Sequence, residues 1–343
     1  MRDKNLFSPQ FMMIGIVTII ILFFVGCGFV GRMTPKEKEP DNSTQDLVVV
    51  GYSQIGSESV WRTANSASIQ SALTKENGYF LIFNNARQKQ ENQIKAIRSF
   101  VSQRVDYIVF SPVTEDGWET VLQEAKEAGV PVILADRMVS VNDDSLYATW
   151  VGSNTREEGE KAGNWLEDYL RREGKSSREI NIVVLQGTTG SSAQLGRTMG
   201  FDSIADKHKN WKILEQTSGD FTIAKGKEVM ESMLKKYDKI DVVVSQNDDM
   251  TFGAMEAMDE KGITYGVDGD VILISFDAVH DALQLVAEGK INVDIECNPE
   301  QGEYISEIIQ KIENGESLEK KYYVEEQVFT IENVDDVLEQ RTY

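Results

Sequence analysis

DLVVVGYSQIGSESVWR, residues 46–62, reads as strand, loop and helix start in one piece. The β-branched run through Val48, Val49 and Val50 is too short and too uniformly apolar for an amphipathic helix, and it suits a strand buried on both faces. The strand reads over 46–51, a polar stretch follows from Tyr52, and Ser57 or Ser59 can cap the next helix. Glu58, Trp61 and Arg62 then fall at its first turns.

Working outward, the pattern repeats. Residues 79–83 (YFLIF), 107–110 (YIVF) and 131–135 (PVILA) predict further strands. Between them, Ile94, Ile97 and Val101 recur at helical spacing over 93–101, and 118–128 also reads as helix. The second half follows the same scheme, with strands at 180–185, 240–245 and 271–276 and helices near 157–171, 193–205, 224–236 and 251–261. Such alternation implies an α/β chain with parallel sheets and helices on both faces. With 343 residues, the chain suits two lobes of about 130–150 residues rather than one core.

Ligands of parallel sheets bind at the carboxyl ends of the strands. After the fourth strand come Asp136 and Arg137, which are either ligand groups or a solvated turn. Residues 186–197 (QGTTGSSAQLGR) form a Gly-rich loop ending at Arg197. That loop is a tight turn or a weak phosphate cradle, and no Gly-Lys-Ser/Thr closes it as a P-loop. Asn247 can both donate and accept, as a hydroxyl requires, and Asp248 suits an N-cap. Asp277 and Glu296 end two further strands. Trp61 is either core or a flat apolar wall for C–H groups, and Glu58 with Arg62 is either a surface i,i+4 pair or a hydroxyl-binding pair. Taken together, acids, guanidiniums, an amide and an indole at strand ends of both halves suit a polyhydroxylated ligand.

The N-terminus bears on location. Arg2 and Lys4 precede an apolar run over 11–30, and Cys27 follows Val25-Gly26. This resembles a bacterial lipoprotein signal with Cys27 as the lipidated residue. Phe24 stands where that pattern has leucine, and 20 apolar residues also suffice for an uncleaved signal anchor, so both remain open. Either one places the body outside the cytoplasm. Residues 31–46, with Pro35 and Pro40, read as a tether.

Composition removes other classes. The net charge of −21 opposes nucleic-acid binding. A transcriptional repressor would need an N-terminal helix-turn-helix and a basic face, and the chain has neither. Two cysteines and two histidines offer no zinc-like spacing, and no disulfide between Cys27 and Cys297 is expected. A glycosidase could use paired carboxylates, but pairing with Arg62, Arg137 and Arg197 is expected to hold them ionised, and no G-x-S-x-G elbow is present. No turnover and no cofactor are expected.

From about 47 to 343 the chain resembles the type I periplasmic sugar-binding proteins of ABC importers, the ribose- and galactose-binding group. The shared motifs are LADR (134–137), QNDDM (246–250), ISFD (274–277) and the loop 187–197. The galactofuranose-binding branch is marked by GYSQIGSESVWR (51–62), RQKQENQIKAIRSFV (87–101), DDSLY (143–147), SGDFT (218–222) and KGKEVMES (225–232). The resemblance implies two hinge-linked Rossmann-like lobes, 47–152 plus 297–325 and 153–296 plus 326–343, joined by three crossings. It implies contacts to a monosaccharide from Ser57, Glu58, Trp61, Arg62, Gln88, Asp136, Arg137, Arg197, Phe221, Asn247, Asp277 and Glu296. It further implies a monomer that hands its sugar, galactofuranose or a related hexose or pentose, to an ABC permease. A sensor docking on a chemoreceptor or histidine kinase is the alternative.

Overall fold

A computed structural model describes residues 47–343. The apolar segment and Cys27 lie outside the described residues. In chain order the first lobe alternates β1 (Val48–Gln54), α1 (Val60–Ala72), β2 (Tyr79–Asn85), α2 (Gln90–Gln103), β3 (Tyr107–Phe110), α3 (Glu119–Glu127), β4 (Val132–Ala135) and β5 (Thr149–Gly152). The second continues with α4 (Thr155–Arg172), β6 (Ile180–Gln186), α5 (Ser192–Ala205), β7 (Trp211–Ser218), α6 (Ile223–Lys236), β8 (Val242–Ser245), α7 (Asp248–Asp259), β9 (Ile272–Asp277), α8 (His280–Ala287) and β10 (Val293–Glu296). The chain then returns through α9 (Gly302–Glu313) and β11 (Lys321–Tyr323) before ending in β12 (Val328–Phe329) and α10 (Asp335–Leu338).

Two six-stranded sheets result, ordered β11-β5-β4-β3-β1-β2 and β12-β10-β9-β8-β6-β7. Every pair is parallel except β10 with β12. Each sheet is covered on both faces, which is why its central strands are apolar throughout. In the first sheet Val50, Ile108, Val109 and Ile133 are fully buried between two cores. In the second, Val243 and Leu273 face one core while Val242 and Ile274 face the other. Because β11 lies in the first sheet and β12 in the second, the chain passes between lobes three times: after β5, after β10 and after β11.

Four strands escaped sequence reading for identifiable reasons, β12 because it is only two residues long. β5 and β11 are only four and three residues long. β7 is an edge strand whose mixed WKILEQTS sequence is mostly half-buried, so it carries no unbroken apolar run. The expected cap at Asp248 is also corrected. Asn247 caps α7, its Oδ1 accepting from Met250 N at 2.9 Å. Asp248 is instead buried, accepting from Ser275 and from Val279 N.

The packing of α4 on α5 sets up the site. A Cβ on Gly159 would fall 2.3 Å from Arg197 O, and one on Gly200 would fall 2.1 Å from Arg156 O. These glycines let the two backbones touch, which brings Glu158 of α4 to Arg197 of α5. Gly200→Ala should therefore cost about 1–3 kcal/mol despite alanine's better helix propensity, because backbone cannot yield as a side chain can. A lower urea midpoint with unchanged slope would show it.

Candidate functional site

The carboxyl ends of both sheets face one another across a narrow polar cavity. The first lobe lines it with Glu58, Ser59, Trp61, Arg62, Asp136 and Arg137, and the second with Ala193, Arg197, Phe221, Asn247 and Asp277. Cys297 lines it from the second crossing. The lobes are in contact. Asp249 accepts from Val60 N at 3.3 Å, Ser192 Oγ accepts from Met138 N at 2.9 Å, and Gly190 O accepts from Glu115 N at 3.0 Å.

On the first lobe, Ser59 caps α1 by accepting from Arg62 N, which aims the first turn at the cavity. Arg62 then joins Glu58 at 3.2 Å and Asp136 at 2.7 Å. With its side chain 5% exposed, it is no surface pair. Asp136 also accepts from Ser111 Oγ. Arg137 donates to Val113 O at 2.9 Å and stacks its guanidinium over the Phe221 ring of the other lobe at 5.3 Å. Burial, and after it the charge of Arg62, lowers the Arg137 pKa to about 10. Trp61, 3% exposed, belongs to a core cluster of the second lobe and donates from Nε1 to Cys297 O. The alternatives of core or ligand wall thus coexist in one residue, because its ring reaches across the cleft.

On the second lobe, Arg197 holds Glu158 at 2.6 Å, Asp277 at 3.2 Å and Gln246 O, with Phe276 beneath its guanidinium. Burial opposes its charge, but Glu158 and Asp277 outweigh that and keep its pKa well above the usual value. The expectation that arginine pairing holds the carboxylates low fails at Asp277, where burial outweighs Arg197 and raises the pKa well above the usual value. Asp136, Phe221 and Asp277 all adopt positive φ, of 62°, 60° and 108°. Strained backbone of this kind gathers where side chains must be aimed at a ligand.

Three expected contacts stand elsewhere. Ser57 and Gln88 are exposed beside Glu58, in a groove outside the cavity. Glu296 pairs with Arg341 at 2.7 Å and accepts from Gln327 N, so it fastens the C-terminal segment and does not line the cavity. Reading the sequence alone left out Ala193 and Cys297 as lining groups, and took Ser59 only as a cap. A small residue and a crossing residue carry no hydroxyl-binding signature to find. The Gly-rich loop is no phosphate cradle. Gly187 N donates to Gln246 Oε1 and Gly190 N to Gln194 Oε1, so these backbone donors are already used. Glu158, Cys297 and Glu326 bring metal-capable atoms within 4.8 Å of one another. Glu158 is taken by Arg197 and Glu326 by Ser153 and Asn298 N, and no metal is assigned there.

Two Rossmann-like lobes around a polar interlobe cavity define a receptor of the type I periplasmic binding fold. The periplasmic binding protein domain matches residues 50–317, and the chain belongs to that family. It is 40% identical over 277 residues to the galactofuranose-binding protein YtfQ of Escherichia coli, covering 80% of this chain and 85% of the relative. A Mycobacterium smegmatis protein solved in complex with β-D-fucofuranose is 43% identical, with a TM-score of 0.82 over 86% of this chain and 95% of that one. The periplasmic component of an arabinose ABC transporter from Shewanella sp. ANA-3, bound to α- and β-L-arabinofuranose, is 41% identical with a TM-score of 0.80. It too covers 86% of this chain and 95% of its own. Among the described residues no helix is long and apolar enough to cross a membrane.

Proposed function

We propose that this protein is an extracytoplasmic receptor that closes its lobes on a five-membered-ring monosaccharide and delivers it to an ABC permease. The carrying observation is the cavity itself. Three guanidiniums (Arg62, Arg137, Arg197) and three carboxyls (Glu58, Asp136, Asp277) converge from both lobes, with Trp61 and Phe221 as its aromatic walls. Arg62 is answered by Glu58 and Asp136, and Arg197 by Glu158 and Asp277, so these guanidiniums hold no unanswered charge for a phosphate, which favours an uncharged polyol. The used backbone donors of the 187–190 loop point the same way. The furanose ring is supported by relatives that are named for, or solved with, galactofuranose, fucofuranose and arabinofuranose. Delivery to a permease rests on the arabinose transporter component among them. The same relatives support a binding role without turnover. Anchoring through Cys27 or the apolar segment 11–30 completes the reading and rests on the sequence alone.

Calorimetric titration of residues 46–343 against galactose, fucose, arabinose and ribose tests it. Binding of one of these with Kd about 1 µM or tighter, near −8 kcal/mol, is expected. Heat of binding absent from the whole panel would refute the sugar assignment while leaving the fold intact.

A further inference from the structure

The three crossings between lobes meet behind the cavity. Ser153 lies on the first, Cys297 and Asn298 on the second, and Glu326 on the third. Glu326 Oε1 accepts from Asn298 N at 3.0 Å and from the Ser153 hydroxyl, which itself lies 3.3 Å from Cys297 Sγ. One carboxyl therefore ties all three passages of the chain. Beside it stands Glu158, fully buried. Its Oε2 holds Arg197, while its Oε1 has no partner at all. Glu158 and Glu326 bring carboxyl oxygens within 4.8 Å. Arg197 answers the charge of Glu158, and a second carboxyl this close in a dry site favours its neutral form at Glu326.

We propose that Glu326 carries a proton at the hinge, and that this proton holds the three crossings in the closed arrangement and, by sparing Glu158 a second buried charge, seats Arg197 for the ligand. Glu326 does not line the cavity; it is a positioning residue. Its effect on ligand rests on the receptor reading above, but the hinge can be followed with no ligand present.

The direction follows from proton linkage. Burial, and after it the charge of Glu158, pushes Glu326 up to about 9. Opening would admit water and return it towards the ordinary carboxyl range. The closed state then binds more protons than the open one, so closure is favoured at low pH and lost as pH rises towards about 9. The groups facing this pair are Arg197, Cys297, Asp277 beyond Arg197, and Lys161, whose ammonium reaches the Glu326 carbonyl at 3.5 Å. Elsewhere across the cleft, burial raises Asp249 to about 6. Opening would relieve that burial as well, so Asp249 acts in the same sense as Glu326 but over a lower pH range. A comparison against Glu326→Gln, whose amide mimics the neutral acid, isolates the hinge.

Residues 46–343 form one compact unit that contains all four cores, and this unit serves for the test. Small-angle scattering without sugar should show wild type opening as pH rises. Its closed-to-open ratio should fall by up to about tenfold per pH unit, the limit for one proton. Glu326→Gln should lack that part of the slope. Equal slopes in the two proteins, or no slope in wild type, would overturn the proposal. Should Glu326→Gln not fold, Ser153→Ala serves instead. It removes a donor to the ionised carboxylate and should move the wild-type transition to higher pH, and an unmoved midpoint overturns the proposal equally. Sugar affinity, titrated in parallel, should weaken with pH in wild type more than in Glu326→Gln. If no sugar binds at all, the receptor reading fails while the scattering still judges the proton.

Discussion

Arg197→Ala should remove both stability and sugar binding, with the larger loss of the two in stability. The guanidinium is 3% exposed and answers two buried carboxyls, Glu158 at 0% and Asp277 at 7%. Removing it leaves Glu158 with neither oxygen paired, since Oε1 already lacks a partner. Breaking a buried pair from one side costs about 3–5 kcal/mol, because the stranded charge has no water to return to. Urea unfolding should report a loss of that size, and calorimetry should find no sugar binding. Arg197→Lys keeps the charge but not the fork that reaches Glu158, Asp277 and Gln246 O together, so it should recover only part of the stability. Full stability in Arg197→Ala would mean that the pair is replaceable packing and that Glu158 takes up a proton at little cost.

Trp61→Ala should act on closure more than on folding. The indole starts from α1 of the first lobe, yet it packs in a cluster with Phe221, Met250 and Phe329 of the second. Its Nε1 donates to Cys297 O on a crossing. Truncating a buried tryptophan costs about 3–5 kcal/mol in a core. Here most of that loss falls on the closed state, since opening withdraws the ring from the second lobe in any case. Sugar affinity should therefore drop by about 100-fold or more, while the urea midpoint of the sugar-free protein moves little. A large midpoint shift with unchanged affinity would make Trp61 ordinary core of its own lobe.

Trp61 also shows where reading the sequence stops. Strand–helix alternation was legible because a doubly covered parallel sheet demands apolar runs such as Val48–Val50 and Val242–Val244. The strand ends followed from the fold class, and with them Asp136, Arg197, Asn247 and Asp277. What spacing could not say is which way each polar group turns. Glu296 ends β10 just as Asp277 ends β9, yet it turns to Arg341 on the C-terminal segment. Asp277 and Phe221 enter the cavity from left-handed backbone, which no side-chain pattern announces. Gln88 shares that conformation but stays exposed beside Glu58. The hinge cluster was invisible for a plainer reason. Ser153, Asn298 and Glu326 are far apart in sequence, and only the three crossings bring them together.

The most direct measurement is a crystal structure of residues 46–343 with the sugar that binds best in titration. The account predicts one five-membered ring between the lobes, bounded by Trp61 and Phe221, with its hydroxyls on Arg62, Asp136, Arg137, Arg197 and Asp277 and the lobes in the closed arrangement. A sugar bound outside this cavity, or held by one lobe with the other swung away, would contradict it.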